Sequence, residues 1–170
     1  MFLEKGTNGF KWLWIKKGEK RKTIYIMMGL QGSGKTTFCQ QYLSDVRYVN
    51  LDTLNTRNKE ALVIQDCLNN SDNYVVDNTN PTRQDRLRYI PNAKEHGYHI
   101  VGYYMQSHLQ ECIKRNNERT GKKRIPSKAI AMTSNKLELP SYDEGFDELY
   151  YVKNDGKKMV VEDWREEHEV

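Results

Sequence analysis

Residues 23–36, TIYIMMGLQGSGKT, decide the fold. The apolar run over residues 23–29 is short and unbroken, as expected of a central parallel strand buried on both faces. Gly29, Leu30, Gln31, Gly32, Ser33, Gly34, Lys35 and Thr36 then spell G-x-x-x-x-G-K-T. The stretch over residues 36–43 continues without a breaker and reads as a helix. Strand, motif and helix in this order are the context that gives the motif its meaning. Glycines at 29, 32 and 34 let successive backbone N–H groups turn inward toward phosphate oxygens, and the following helix adds its positive end. Lys35 can then reach the β and γ phosphates, and the Thr36 hydroxyl can ligate Mg²⁺. Ser33 and Thr37 complete the set of residues expected at the nucleotide. ATP and Mg²⁺ are the expected cofactors.

The pattern around this strand alternates. Apolar segments at 48–51, 73–77 and 98–105 read as further strands, and helical segments are expected at 59–68, 82–95, 109–117 and 126–137. Such alternation favours right-handed crossovers and a sheet covered on both faces. The expected class is therefore a three-layer α/β P-loop NTPase or kinase fold with a mainly parallel sheet, a basic lid and a C-terminal β-hairpin appendage. The hairpin is read from ELYYV and KKMVVE on either side of Asn154, Asp155 and Gly156. One domain of residues 23–152 is expected, with a basic and aromatic extension at 1–22 and the hairpin with its acidic tail at 153–170.

Length and composition limit the alternatives. A chain of 170 residues accommodates one domain of ordinary size. Its 27 basic and 23 acidic residues give a net charge of +4, too little for a protein that coats DNA along its whole surface. Cys39, Cys67 and Cys112 are odd in number and lack zinc-site spacing, so they read as reduced core residues. No apolar run is long enough for a signal segment or a membrane span, which leads to the expectation of a soluble, cytoplasmic protein without a membrane partner. The extension carries seven basic residues from Lys5 to Lys22 against Glu4 and Glu19, interleaved with Phe10, Trp12 and Trp14. It reads as a lysine-guarded edge strand or as a surface on which single strands stack.

In a parallel sheet the ligand-facing residues gather at the C-terminal ends of the strands. Asp52 follows the strand at 48–51 and could orient a hydroxyl and take its proton, or merely cap the next helix. Asp77, Asn78, Thr79, Asn80 and Pro81 close the next strand. Asp77 could belong to the Mg²⁺ shell, or Asp77 and Asn80 could grip the acceptor, or the cluster could simply make a turn. Between Lys114 and Lys128 seven basic residues face one acid, a local charge of +6. Arg115 and Arg119 stand a helical turn apart, as a lid that neutralises a transferring phosphoryl group requires.

GLQGSGKTT, VNLDTLN, VVDNTNPTRQDRLRYI, CIKRNNERTGKKRIP and LPSYDEGFDEL together resemble the kinase domain of polynucleotide 5′-hydroxyl kinases, including the kinase half of polynucleotide kinase-phosphatases. The resemblance spans roughly residues 23–152. It implies ATP-dependent phosphorylation of the 5′-hydroxyl of a DNA or RNA end. In that reading Lys35 and Thr36 act on ATP and Mg²⁺, Asp52 activates the hydroxyl, Arg115 or Arg119 is the lid arginine, and Asp77, Asn78 and Asn80 line the acceptor side. Two positions depart from the pattern. Leu51 replaces the arginine usual before the catalytic aspartate, and Asn55 replaces an acceptor-binding arginine of phage-type relatives, with Arg57 nearby as a substitute. No D-x-D signature occurs, so a kinase without the phosphatase activity is expected. The K-x-D-G of Lys153 to Gly156 matches nucleotidyl transferases in letters alone and is better explained by the hairpin turn. A small-molecule kinase acting on a nucleoside or sugar and a non-catalytic ATP-gated nucleic-acid module are the rival readings.

Overall fold

In the computed structural model β1 (Thr23–Met28) lies at the centre of the sheet, with every residue except Tyr25 buried. The structure describes residues 21–154 and 158–167, the Lys122 side chain excepted. The 1–20 stretch of the basic and aromatic extension and the Asp155 and Gly156 positions of the hairpin signal lie outside the described residues. The chain continues through α1 (Lys35–Tyr42), β2 (Arg47–Val49), α2 (Leu51–Leu54), α3 (Arg57–Asn70), β3 (Tyr74–Val76), α4 (Arg83–Arg86) and α5 (Ile90–Glu95). It ends in β4 (His99–Met105), α6 (Leu109–Asn117), α7 (Ser127–Ser134), β5 (Glu148–Asn154) and β6 (Met159–Asp163). The sheet order is β2-β3-β1-β4-β5-β6, with β1 to β5 parallel and β6 antiparallel to β5.

Three layers follow from where the apolar side chains go. On one face Met27, Val75, Met105 and Val152 pack under Phe38, Cys39 and Leu43 from α1 and its end. On the other, Ile24, Ile26, Val49 and Val76 meet Cys67 and Leu68 of α3 and Ile90 and Ala93 of α5. A small cluster of Leu30, Cys112 and Ile130 seats α6 and α7 beside the phosphate loop. Among the described residues no helix is long and apolar enough to cross a membrane.

Three expectations change in detail. The segment at 82–95 is two helices, because Pro91 stands in the first turn of α5, where its ring and missing N–H prevent a continuous helix from residue 87 onward. An unforeseen single turn, α2, intervenes after β2 and is capped by Asn50, whose side chain accepts from the Thr53 N–H at 3.1 Å. The C-terminal hairpin is antiparallel as expected, but its first arm is also the fifth parallel strand, with Val101 to Met105 in register with Glu148 to Val152. The hairpin signal is local, whereas the pairing of β5 with β4 closes a crossover of more than forty residues that no local pattern announces.

A buried ion pair fixes the loop after β3. Arg86 donates through Nε and Nη2 to the two oxygens of Glu144 at 2.7 Å each, and both side chains are only 1% exposed. Its Nη1 donates to the carbonyls of Asn80 and Glu138 at 3.2 and 3.1 Å. A planar fork with several donors suits this task as a lysine would not.

Candidate active site

The phosphate loop is shaped by backbone conformation. Gly32 and Gly34 have φ of 83° and 102°, values that side chains disfavour. At Gly32 a methyl group would also stand 2.4 Å from the Cys112 carbonyl oxygen, so α6 rests directly on the loop. Lys35 is buried and folds back over the loop, its Nζ donating to the carbonyls of Gly29 at 2.8 Å and Leu30 at 2.7 Å. Burial pulls its pKa down to about 8, the Asp77 carboxylate opposes that fall, and the nearby Arg119 charge adds to it. Among the described residues the buried Ser33 hydroxyl and Gln31 Oε1 find no hydrogen-bond partner. A cradle of positive-φ glycines with a buried lysine and an unsatisfied hydroxyl fits a polyphosphate, which would supply acceptors for these groups. Thr37 is exposed on the first turn of α1.

Asp77 links this loop to the neighbouring strand end. It is buried, and its Oδ2 accepts from the Thr36 hydroxyl at 2.7 Å and from the Tyr48 hydroxyl. Burial, and then this hydrogen bond, push the Tyr48 pKa well above its ordinary value. Thr36 and Asp77, the two residues expected at a metal, therefore stand in contact. Asp77 also receives Asn50 Nδ2 on its backbone carbonyl, which ties the end of β2 to the end of β3.

Asp52 is exposed on the first turn of α2. It is not the cap of that turn, since Asn50 is. The turn is held by Asn78, whose Oδ1 accepts from the Leu51 N–H at 2.9 Å. Asn78 uses its amide hydrogens on Glu60 Oε1 at 2.6 Å and on the Tyr89 hydroxyl at 3.1 Å. Asn80 is buried at φ 42° and donates to the Met27 carbonyl at 2.8 Å, pinning the loop to β1. Both asparagines thus use their amide N–H groups within the framework. Asn55 ends α2 at φ 67° and bonds its own turn, donating to the Thr53 carbonyl at 3.1 Å. Arg57, 43% exposed, anchors one nitrogen, Nη1, on Glu60 at 2.7 Å and on Tyr89 at 2.9 Å.

Of the two arginines expected in a lid, Arg115 touches the loop and Arg119 acts on it by charge alone. Arg115 Nε donates to the Gly32 carbonyl at 2.7 Å, and its Nη1 faces Glu111 at 3.3 Å. Arg119 lies just beyond α6 on an exposed turn, close enough for its charge to act on Lys35. The basic loop between α6 and α7 is closed at its base by the buried Asn116, which donates to the Ile125 carbonyl at 2.7 Å and accepts the Ile125 N–H at 2.9 Å. Gln31 Nε2 donates to Thr133 of α7 at 3.3 Å. Sequence reasoning missed Tyr48, Glu60, Tyr89 and Asn116. Only Asn50 carried a legible signal, an asparagine three residues before the N–H it caps.

A protein-family model described as "AAA domain" matches residues 51–140, more than half of the chain. The chain belongs to this AAA-domain family. The family's matched stretch opens at Leu51 and takes in the Asp52 turn, its Asn78 and Glu60 supports and the basic loop between α6 and α7. "Bifunctional polynucleotide phosphatase/kinase" of Schizosaccharomyces pombe is 28% identical over 156 residues, covering 88% of this chain and 38% of the relative. "Putative bifunctional polynucleotide phosphatase/kinase" of Acanthamoeba polyphaga mimivirus is 29% identical over 152 residues, covering 85% and 36%. The chain therefore spans less than two fifths of the length of these relatives. Among solved structures, Kti12 from Chaetomium thermophilum in complex with ADP-AlF3 superposes with a TM-score of 0.62 at 16% identity, covering 79% of this chain and 91% of that one. The likeness is one of fold.

Proposed function

We propose that the chain transfers the γ-phosphoryl group of ATP to the 5′-hydroxyl of a DNA or RNA end. The observation that carries this reading is the continuity of the three strand ends. Thr36 of the phosphate loop bonds Asp77 at 2.7 Å, and the turn bearing Asp52 is strapped to the end of the same strand by Asn50 and Asn78. A phosphate cradle tied through Asp77 to a turn that carries an exposed carboxylate suits phosphoryl transfer to an alcohol. The polynucleotide phosphatase/kinase names of the two relatives support a nucleic-acid end as the acceptor.

Each residue then has a task. Lys35 exchanges the carbonyls of Gly29 and Leu30 for β and γ oxygens. Thr36 and Asp77 would hold Mg²⁺, which supplies charge neutralisation on the phosphate oxygens. Among the described residues no group of three or more His, Cys, Asp and Glu forms a metal cage, so phosphate oxygens and water would complete the coordination. Asp52 orients the 5′-hydroxyl and accepts its proton. The transition state is loose, so positioning is the larger part of that role. Arg115 and Arg119 neutralise the charge on the transferring group. Arg57, with Asn55 beside it, faces the acceptor strand with its unanchored edge.

The test is γ-labelled ATP with 5′-hydroxyl oligonucleotides of RNA and DNA, run beside free nucleosides. Labelled oligonucleotide is expected, and Asp52→Asn should lower its turnover about a hundredfold while nucleotide affinity stays within about twofold. Label on nucleosides alone would assign the site to a small-molecule kinase. Full turnover in the Asp52 variant would remove that carboxylate from the chemistry.

A further inference from the structure

We infer that Glu60 is the positioning residue of the acceptor side, acting through Asn78 to set where the Leu51 backbone, and with it the Asp52 carboxylate, stands. This rests on the proposed reaction. Glu60 lies in the first turn of α3 with its side chain only 4% exposed, an unusual place for a carboxylate. Its two oxygens collect three donors: Asn78 Nδ2 at 2.6 Å and the Tyr89 hydroxyl at 3.2 Å on Oε1, and Arg57 Nη1 at 2.7 Å on Oε2. The Tyr89 hydroxyl in turn accepts from Asn78 Nδ2 at 3.1 Å and Arg57 Nη1 at 2.9 Å.

The consequence falls on the orientation of one amide. Asn78 can turn over with little change of shape, and only its hydrogen-bond partners decide which end is oxygen. Glu60 and Tyr89 take its N–H donors, which leaves Oδ1 facing the Leu51 N–H at 2.9 Å. That N–H belongs to the opening turn of α2, where the helix offers it no acceptor of its own. Asp52 is the next residue. A neutral Gln at position 60 keeps the volume but presents one oxygen and one NH2 group in place of two oxygens, and with the oxygen drawn to the charged Arg57 the NH2 group faces the donor end of Asn78. The Asn78 amide then loses its reason to hold Oδ1 toward Leu51.

The deciding experiment compares wild type, Glu60→Gln and Tyr89→Phe in the full chain. Turnover on a 5′-hydroxyl oligonucleotide, KM for ATP and the dissociation constant of a fluorescent ATP analogue are measured, with hydrogen exchange at the Leu51 amide. For Glu60→Gln, kcat should fall about tenfold or more while KM for ATP and nucleotide affinity stay within about twofold. Leu51 exchange should rise about tenfold, with that of Phe38 in α1 unchanged. Tyr89→Phe leaves the direct Glu60 to Asn78 contact in place, so its kcat should fall only about two- to fivefold. If Glu60→Gln does not fold, the Tyr89 variant decides by the same split. Turnover and Leu51 exchange both within twofold of wild type would overturn the inference, and so would a parallel loss of nucleotide affinity. If the wild type phosphorylates no 5′-hydroxyl end, the proposed reaction fails, yet the exchange measurement still decides whether Glu60 sets the Leu51 position.

Discussion

The proposed donor side of the site is shaped largely by its own backbone, whereas the proposed acceptor side is held by side chains drawn from four separate places in the chain. The phosphate loop occupies eight consecutive residues and takes its form from its glycines and the Lys35 bonds to the Gly29 and Leu30 carbonyls, with outside braces from Ser107 at the Leu30 N–H, Arg115 at the Gly32 carbonyl and the packing of α6 on Gly32. The Asp52 turn depends instead on Asn50, Asn78, Glu60, Arg57 and Tyr89, brought from β2, α3, the loop after β3 and the start of α5. A local device would suit a ligand part that never varies, such as the polyphosphate of the proposed donor. A device assembled from distant side chains can be retuned residue by residue, which is where acceptor preference would change.

The sharpest way to break the contrast is at the ion pair that steadies the loop carrying Asn78 and Asn80. Arg86→Ala leaves the Glu144 carboxylate buried and unpaired, and should cost about 3–5 kcal/mol of stability in a denaturant titration. Replacing both partners with apolar residues of similar volume should cost much less. If the single variant lost under about 1 kcal/mol, the pair would be solvated in solution and the acceptor side looser than described.

A smaller effect is expected where the donor side is attacked directly. Lys35→Ala should lower turnover at least about a hundredfold, equivalent to ~2.7 kcal/mol of transition-state stabilisation, with little change in the unfolding midpoint. The fold should tolerate it because burial already disfavours the ammonium in the empty protein.

The mildest effect comes from pH. With the pKa of Lys35 lowered to about 8 by burial, the empty protein releases this proton before an unfolded chain would. A bound polyphosphate favours the charged form, so binding takes up a proton above pH 8. Nucleotide affinity should therefore weaken with rising pH, by at most about tenfold per unit, and calorimetry in buffers of different ionisation heat should register the uptake. The same shift has the opposite sign for folding. The empty protein gains stability as pH climbs from about 8 toward the ordinary lysine value of 10.5. An affinity flat from pH 7 to 9 would mean that Lys35 is less enclosed than its contacts indicate.

What could be read from the chain follows the same division. The loop from Gly29 to Thr36 was legible because its chemistry is written in adjacent letters, and β1, β3 and β4 were legible because burial on both faces leaves unbroken apolar runs. The approach of Thr36 to Asp77 followed from their places at neighbouring strand ends. The framework duties of Asn78 and Asn80 were not legible, since a polar cluster before proline reads equally as a turn, a ligand site or a clamp. Glu60 is one of many acids in helical first turns, and only its burial separates it from the rest. The break after Leu87 was written in Pro91, which a sustained helical pattern on either side obscured.

Two features of the lid fix how it can move. The Cys112 carbonyl lies so close to Gly32 that α6 has no clearance to rock against the loop, and Asn116 staples the chain together again at Ile125. Were the basic segment to close over a nucleotide, the bend would fall next to Asn116 and carry residues 117 to 124, with Arg119 near the base. Arg115, bonded to the Gly32 carbonyl, would stay with the loop in such a closure while Arg119 travelled.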